Sequence, residues 1–198
     1  MELTLEDGKT LVRAARKAVE RFFESRKVII EKLEKFKEKR GAFVTIESFP
    51  GFELRGCIGY PYPILPLYEA VQRAAIEAAV NDPRFRPIER EDLDAVVFEV
   101  SVLSKPVEVK VKKSKEILDK IEQGKDGLII EFMGHSGLFL PQVWKELPEK
   151  EDFLSNLCLK AGLLPDCWLQ NGVRFYKFNV VAFKEVKPNG EVVKVNQT

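Results

Sequence analysis

Ala42-Phe43-Val44-Thr45-Ile46-Glu47 and Phe52-Glu53-Leu54-Arg55-Gly56-Cys57-Ile58 are two runs rich in β-branched and aromatic residues, separated by Ser48-Phe49-Pro50-Gly51. The Pro-Gly pair suits a tight reversal, so this stretch predicts an antiparallel hairpin. Further on, Val96 to Leu103 is apolar on nearly both faces, the pattern of a central strand. Leu128 to Met133 and Gly137 to Leu140 form a second hairpin, with Gly134-His135-Ser136 at its tip. Strand character returns in Arg174 to Val186 and in Glu191 to Val195, around the turn Pro188-Asn189-Gly190.

Helical periodicity interrupts these strands. From Leu5 to Arg26, Leu11, Ala15, Ala18 and Phe22 form one apolar stripe, and Ile29 to Lys39 carries a thinner one that stops at Gly41. Leu67 to Val80 is Ala-rich and is ended by Asn81-Asp82-Pro83. Ser114 can cap a helix to about Gln123, and Glu149 to Ala161 is helical. Short turns between strands and irregularly interleaved helices predict an α+β fold with a mainly antiparallel sheet.

A chain of 198 residues and 22.6 kDa reads as a single body spanning 1–198, with room for two subdomains. Folding at this size hides roughly 70% of the extended surface, enough for a sizeable core. A net charge of +1 removes the global field that a polyanion binder uses, which disfavours a nucleic-acid factor. Hydrophobic residues at 45% beside charged residues at 32% exclude a disordered chain. No apolar run approaches the roughly 20 residues of a membrane helix. The acids in Met1-Glu2-Leu3-Thr4-Leu5-Glu6-Asp7 do not resemble a secretory signal, so the expected location is the cytoplasm. Cys57, Cys158 and Cys167 show no ligand-like spacing, and His135 is the single histidine; neither a disulfide nor a metal site is expected. The abundance of Lys and Glu is the pattern of ion-pair-rich thermophilic proteins.

The candidate chemistry centres on Leu54-Arg55-Gly56-Cys57-Ile58-Gly59. Strand alternation puts Leu54, Gly56 and Ile58 on one face, with Arg55, Cys57 and Gly59 on the other. A guanidinium two residues from a thiol favours the thiolate and prepares a nucleophile. Gly56 and Gly59 leave space for a ligand or for another backbone. Asp82 and Arg84 follow a helix end on a loop, where rigid neighbours can aim them. His135 on a turn reads as a solvent-exposed residue rather than as a base for Cys57, and Trp168 reads as packing. Lys105 to Lys120 is broken by acids and contains no aromatic platform, so it reads as a solvated face.

These residues resemble the AMMECR family (Alport syndrome, midface hypoplasia and elliptocytosis chromosomal region proteins). Its hallmark is the hexapeptide found here at 54–59. Ordered matches continue at Gly41-Ala42-Phe43-Val44-Thr45, Asp82-Pro83-Arg84-Phe85, Glu99-Val100-Ser101-Val102-Leu103-Ser104, Phe139-Leu140-Pro141-Gln142-Val143 and Leu157-Cys158-Leu159-Lys160-Ala161-Gly162-Leu163. Many relatives place Thr after the hexapeptide, where this chain has Tyr60. The resemblance implies larger and smaller subdomains around a cleft that holds the hexapeptide. It adds Phe85, Pro141 and Gln142 to Gly56, Gly59, Asp82 and Arg84 as cleft or ligand-binding residues. It assigns no reaction and no cofactor. Through domains fused to or encoded near relatives, it points to Memo-type and radical-SAM proteins as pathway partners.

Two functions follow as expectations. One is an enzyme acting on a small molecule or a protein side chain, with Cys57 as nucleophile or acid/base, Arg55 as thiolate or anion stabiliser, and Asp82 and Arg84 as positioning groups. The other is a noncatalytic adaptor or regulator binding a peptide, nucleotide or partner domain.

Overall fold

Thr4 starts the first helix, because its hydroxyl accepts from the Asp7 backbone N–H (3.3 Å) while the Asp7 carboxylate accepts from the Thr4 N–H (3.1 Å). In the computed structural model, which describes residues 2–195, this helix α1 spans Leu5–Ser25. It buries Leu11, Val12, Ala15, Ala18 and Val19. A second helix, α2 (Leu67–Val80), packs beside it through Ala70, Val71, Ala74, Ala75, Ala78 and Ala79. Small side chains let α2 come close to whatever lies beneath.

Beneath lie β1 (Ala42–Ser48), β2 (Leu54–Tyr60) and β3 (Val96–Leu103). β1 runs antiparallel to both β2 and β3, so the first strand pair is the hairpin expected from its sequence. After β4 (Val107–Glu108), β5 (Gly127–Phe132), β6 (His135–Phe139) and β7 (Arg174–Phe178), the chain adds β8 (Val180–Glu185) and β9 (Val192–Val195) to the first sheet. Its order is β2-β1-β3-β8-β9, with β3 at the centre and β2 at an edge. Val44, Ile46, Phe98, Val100 and Phe183 join the two helices in one core. This first unit takes in residues up to Leu103 and the return from Val181.

A buried ion pair crosses that core. Arg16 donates from Nε to Glu185 Oε1 (2.8 Å) and from Nη2 to Oε2 (2.6 Å), and its remaining donors reach the Leu93 and Val96 carbonyls. Every polar atom is used, as a buried pair requires, so the group is structural.

The second unit, Ser104–Val180, carries the sheet β4-β7-β5-β6 with two helices, α3 (Ile117–Lys120) and α4 (Lys150–Lys160). Its core gathers Leu128, Ile130, Phe153, Leu157 and Phe175 around Trp144, whose ring stacks on Phe153 at 3.7 Å. The fold is α+β with antiparallel sheets, in agreement with the sequence. Among the described residues no helix is long and apolar enough to cross a membrane.

Five local expectations are corrected. Ile29 to Lys39 is not a helix; only Glu34–Phe36 makes a 3-10 turn. The buried Gln72 side chain instead bonds both the N–H and the C=O of Glu31, holding that segment extended. Ser114 does not cap; its hydroxyl donates to the Gln170 carbonyl and only α3 follows. The run from Arg174 divides at Asn179, whose N–H, C=O and amide bond Ser104, Lys125 and Asp126, so β7 and β8 enter different sheets. His135 lies in β6 and not at the tip, because Met133 (φ 49°) and Gly134 (φ 80°) make the two-residue turn. Finally, Cys158 and Cys167 form a disulfide, with Cα atoms 6.0 Å apart. Both pack against the second unit's core, a proximity that their spacing in the chain did not reveal.

Candidate functional site

α2 covers one face of β2 so closely that a Cβ on Gly56 would sit 2.0 Å from the Ala78 carbonyl oxygen. Gly56 is therefore a packing residue and faces away from Cys57. A Cβ on Gly59 would meet the Ala42 carbonyl and the Phe43 ring, both at 2.4 Å, so it too is occupied by the protein itself. The two glycines allow tight assembly rather than opening room for a ligand.

The strand does not keep strict alternation. Cys57 is opposite Thr45 and Gly56 opposite Ile46, but Glu47 is opposite Leu54, a bulge that leaves Arg55 unpaired in the ladder. Both bulge residues then stand opposite Glu47. Leu54 accordingly leaves the core face and is 39% exposed, contrary to the expectation from period two. Arg55 is half-buried and forms no hydrogen bond or ion pair with any described residue.

On the helix-free face, Cys57, Thr45 and Glu99 form one row across three strands. The Thr45 hydroxyl donates to Cys57 Sγ at 3.3 Å. Burial pushes the thiol up from its ordinary value; the Thr45 hydroxyl and the Arg84 cation pull against this, while Asp82 and Glu99 add to it. The cation acting on the thiol is thus Arg84. Burial likewise raises Glu99, opposed by Lys184 and reinforced by Glu47. Glu99 accepts a long bond from the Ser101 hydroxyl (3.4 Å). Lys184 pairs with Glu47 and lies 4.7 Å from the centre of the Phe52 ring.

Asp82 and Arg84 close the open edge of β2. The Cys57 N–H donates to Asp82 Oδ2 (2.9 Å), and Arg84 Nη2 donates to the Cys57 carbonyl (3.1 Å). Arg84 also grips both carboxylate oxygens, through Nε (2.9 Å) and Nη2 (2.7 Å). That guanidinium holds the Asp82 carboxyl well below the usual carboxylate range. Together the pair bonds the edge strand as a neighbouring strand would, and it fixes the backbone that carries the thiol. Pro83 stops α2 at the position from which Asp82 reaches the edge. Phe85 lies under the Arg84 guanidinium, 5.3 Å from its ring centre.

The structure brings Cys57, Asp82, Arg84 and Phe85 together in the first unit, and Arg55 stands two residues from Cys57 along β2. Pro141 and Gln142 belong to the second unit, where Pro141 is buried and both start a 3-10 turn leading to Trp144. His135 is bonded within that second unit, its Nδ1 lying 3.2 Å from the Ala161 carbonyl oxygen. Sequence reasoning missed Thr45 and Glu99. The signal for Glu99 was available: one acid inside the apolar run from Val96 to Leu103. Among the described residues, no cluster of three or more His, Cys, Asp or Glu side chains could hold a metal ion.

An AMMECR1 family model matches residues 12–183, so this chain belongs to the AMMECR1 family. Protein MJ0810 of Methanocaldococcus jannaschii is 51% identical over 194 residues, covering 97% of this chain and 96% of that protein. Protein MK0488 of Methanopyrus kandleri is 47% identical over 199 residues, covering 96% of this chain and 94% of that protein. The crystal structure of the uncharacterised protein PH0010 from Pyrococcus horikoshii is similar throughout, with a TM-score of 0.84 at 43% identity, 98% of this chain and 99% of that chain being covered.

Proposed function

We propose that this chain is an enzyme acting on a small molecule or a protein side chain, with Cys57 as the reacting group on the helix-free face of the first sheet. The observation that carries this reading is the in-register row of Cys57, Thr45 and Glu99, whose thiol and carboxyl are both pushed towards their neutral forms. Titratable groups displaced in this way cluster at functional sites. The thiol rests protonated, so it enters a reaction as an acid or after surrendering its proton to a base. Arg55 receives an anionic group of the substrate, because its guanidinium has no partner among the described residues. Asp82 and Arg84 are positioning groups: they bond the Cys57 backbone and leave the thiol free of that work.

The test is turnover without a presumed substrate. Purified chain is incubated with a small-molecule extract and, separately, with denatured cell protein, and both are followed by mass spectrometry over time. The expected result is a time-dependent mass change with the wild type, abolished in Cys57→Ser and slowed in Arg55→Ala. Turnover by Cys57→Ser equal to the wild type, or no change in either pool, overturns the reading and leaves a noncatalytic binding role.

A further inference from the structure

Glu99 is out of place by ordinary sheet chemistry. It stands in the central strand β3, half-buried, on a face where the other strand acid, Glu47, already has a cation in Lys184. Among the described residues Glu99 has no ion pair, and its donor is the hydroxyl of Ser101 at 3.4 Å. Withdrawing a carboxylate from water without a partner costs free energy, whereas an incoming cation recovers it. Thr45 and the Cys57 thiol beyond it are neutral, and the cation that acts on Glu99, Lys184, is already paired with Glu47, so two acids share one positive charge.

Arg55 has the opposite defect, a guanidinium without an anion among the described residues. Its position follows from the ladder. Thr45 lies between Cys57 and Glu99, so their Cα atoms are separated by two strand spacings, roughly 10 Å. Arg55 is two residues further along β2, which puts its Cα roughly 12 Å from that of Glu99. Both side chains are long enough to shorten that interval, leaving a span suited to a compact molecule with charges of opposite sign at its two ends. The thiol lies beside that span, across the strands from Glu99 and two residues along β2 from Arg55.

Resting on the reading of this face as the working surface, we infer that its substrate is a compact zwitterion, with a protonated amine set against Glu99 and an anionic group against Arg55. Free amino acids and the termini of short peptides share this chemistry. An orientation with the amine at Glu99 sets the ligand's anionic end nearer Cys57, where the proposed reaction occurs.

The experiment is an NMR titration of the full chain, read at the backbone amides of Thr45 and Cys57. The probes are L-alanine, β-alanine, 5-aminovalerate and glycylglycine, each beside its N-acetyl and its carboxamide form. At least one zwitterion is expected to saturate the shifts and to bind tenfold or more tightly than either of its singly charged forms. Glu99→Gln is expected to abolish the preference over the N-acetyl form, and Arg55→Met the preference over the amide. Tighter binding of glycylglycine than of the single amino acids assigns the site to peptide termini; the reverse assigns it to free amino acids. Urea unfolding of Glu99→Gln, expected to match or exceed the wild type because a neutral amide is cheaper to bury, guards against misfolding as the explanation. Absence of saturable binding by every zwitterion overturns the inference, as does a Glu99→Gln chain that still discriminates. Cys57→Ser separates this claim from the catalytic one: retained binding with lost turnover supports both, whereas retained binding with unchanged turnover removes the catalytic role of Cys57 alone.

Discussion

Removing the Asp82 side chain should loosen the edge of β2 by an amount that its bonds allow to be worked out. The carboxylate accepts from the Cys57 N–H and from the Arg84 backbone and guanidinium, and its own side chain is only 2% exposed. In Asp82→Ala the Cys57 donor loses its partner at a partly buried site, a cost of about 1–3 kcal/mol. Arg84 is 55% exposed and can return to water, so its ion pair adds only about 0–1 kcal/mol. The expected total is about 1–4 kcal/mol. Asp82→Asn keeps an oxygen for the Cys57 N–H and should lose about 1 kcal/mol. The pH dependence has a definite sign. A carboxyl held below its ordinary 3.8 stabilises the fold fully above that value and loses the contribution as pH falls below it. The difference between wild type and Asp82→Asn should therefore shrink below about pH 4. Urea unfolding followed by far-UV circular dichroism at pH 7 and pH 3.5 measures all of this. An Asp82→Ala loss under about 0.5 kcal/mol, or a gap that widens in acid, would refute the edge-closing role.

Three further outcomes are expected. Gly56→Ala should cost about 3 kcal/mol or more, because the new methyl meets the Ala78 backbone carbonyl and not a side chain able to swing aside; thermal unfolding checks this, and a near-neutral result would mean α2 can shift. Replacing both Cys158 and Cys167 by Ser should cost about 2.5–3 kcal/mol from loop entropy over a sequence separation of 9, read by the fluorescence of Trp144 and Trp168 in the same core. Alkylation of Cys57 should be slow at pH 7 and rise at higher pH than for a free thiol; Arg84→Ala should push that rise higher still, whereas Arg55→Ala should leave it in place, as pH-rate profiles with iodoacetamide will show.

Much of this fold was legible because its signals are local. Leu67–Val80 and Val96–Leu103 match the helix and strand read from periodicity, and Pro83 marks the helix end in both. What escaped depends on distant partners. Gln72 straightens residues that otherwise read as helical, and no pattern within 29–39 announces a glutamine on another element. The bulge between Ile46 and Glu47 exposed Leu54, because alternation cannot count a residue that the partner strand skips. In the candidate site, the thiol and its backbone clamp lie in recognisable motifs, but the cation that acts on the thiol belongs to a different motif from the thiol itself. Arg84 reaches Cys57 across 27 positions while Arg55, two residues away, does not. Glu99 joins the row through β1, a relation visible only once three strands are in register.

The most direct measurement of the helix-free face as the working surface is protection of Cys57. The rate of its iodoacetamide labelling at pH 8.5 is compared with and without the small-molecule extract, in the wild type, Arg55→Ala and Glu99→Gln. The account predicts labelling slowed several-fold by the extract in the wild type, with the protection lost in both variants. Equal rates with and without extract in the wild type, or protection that survives in both variants, would contradict it.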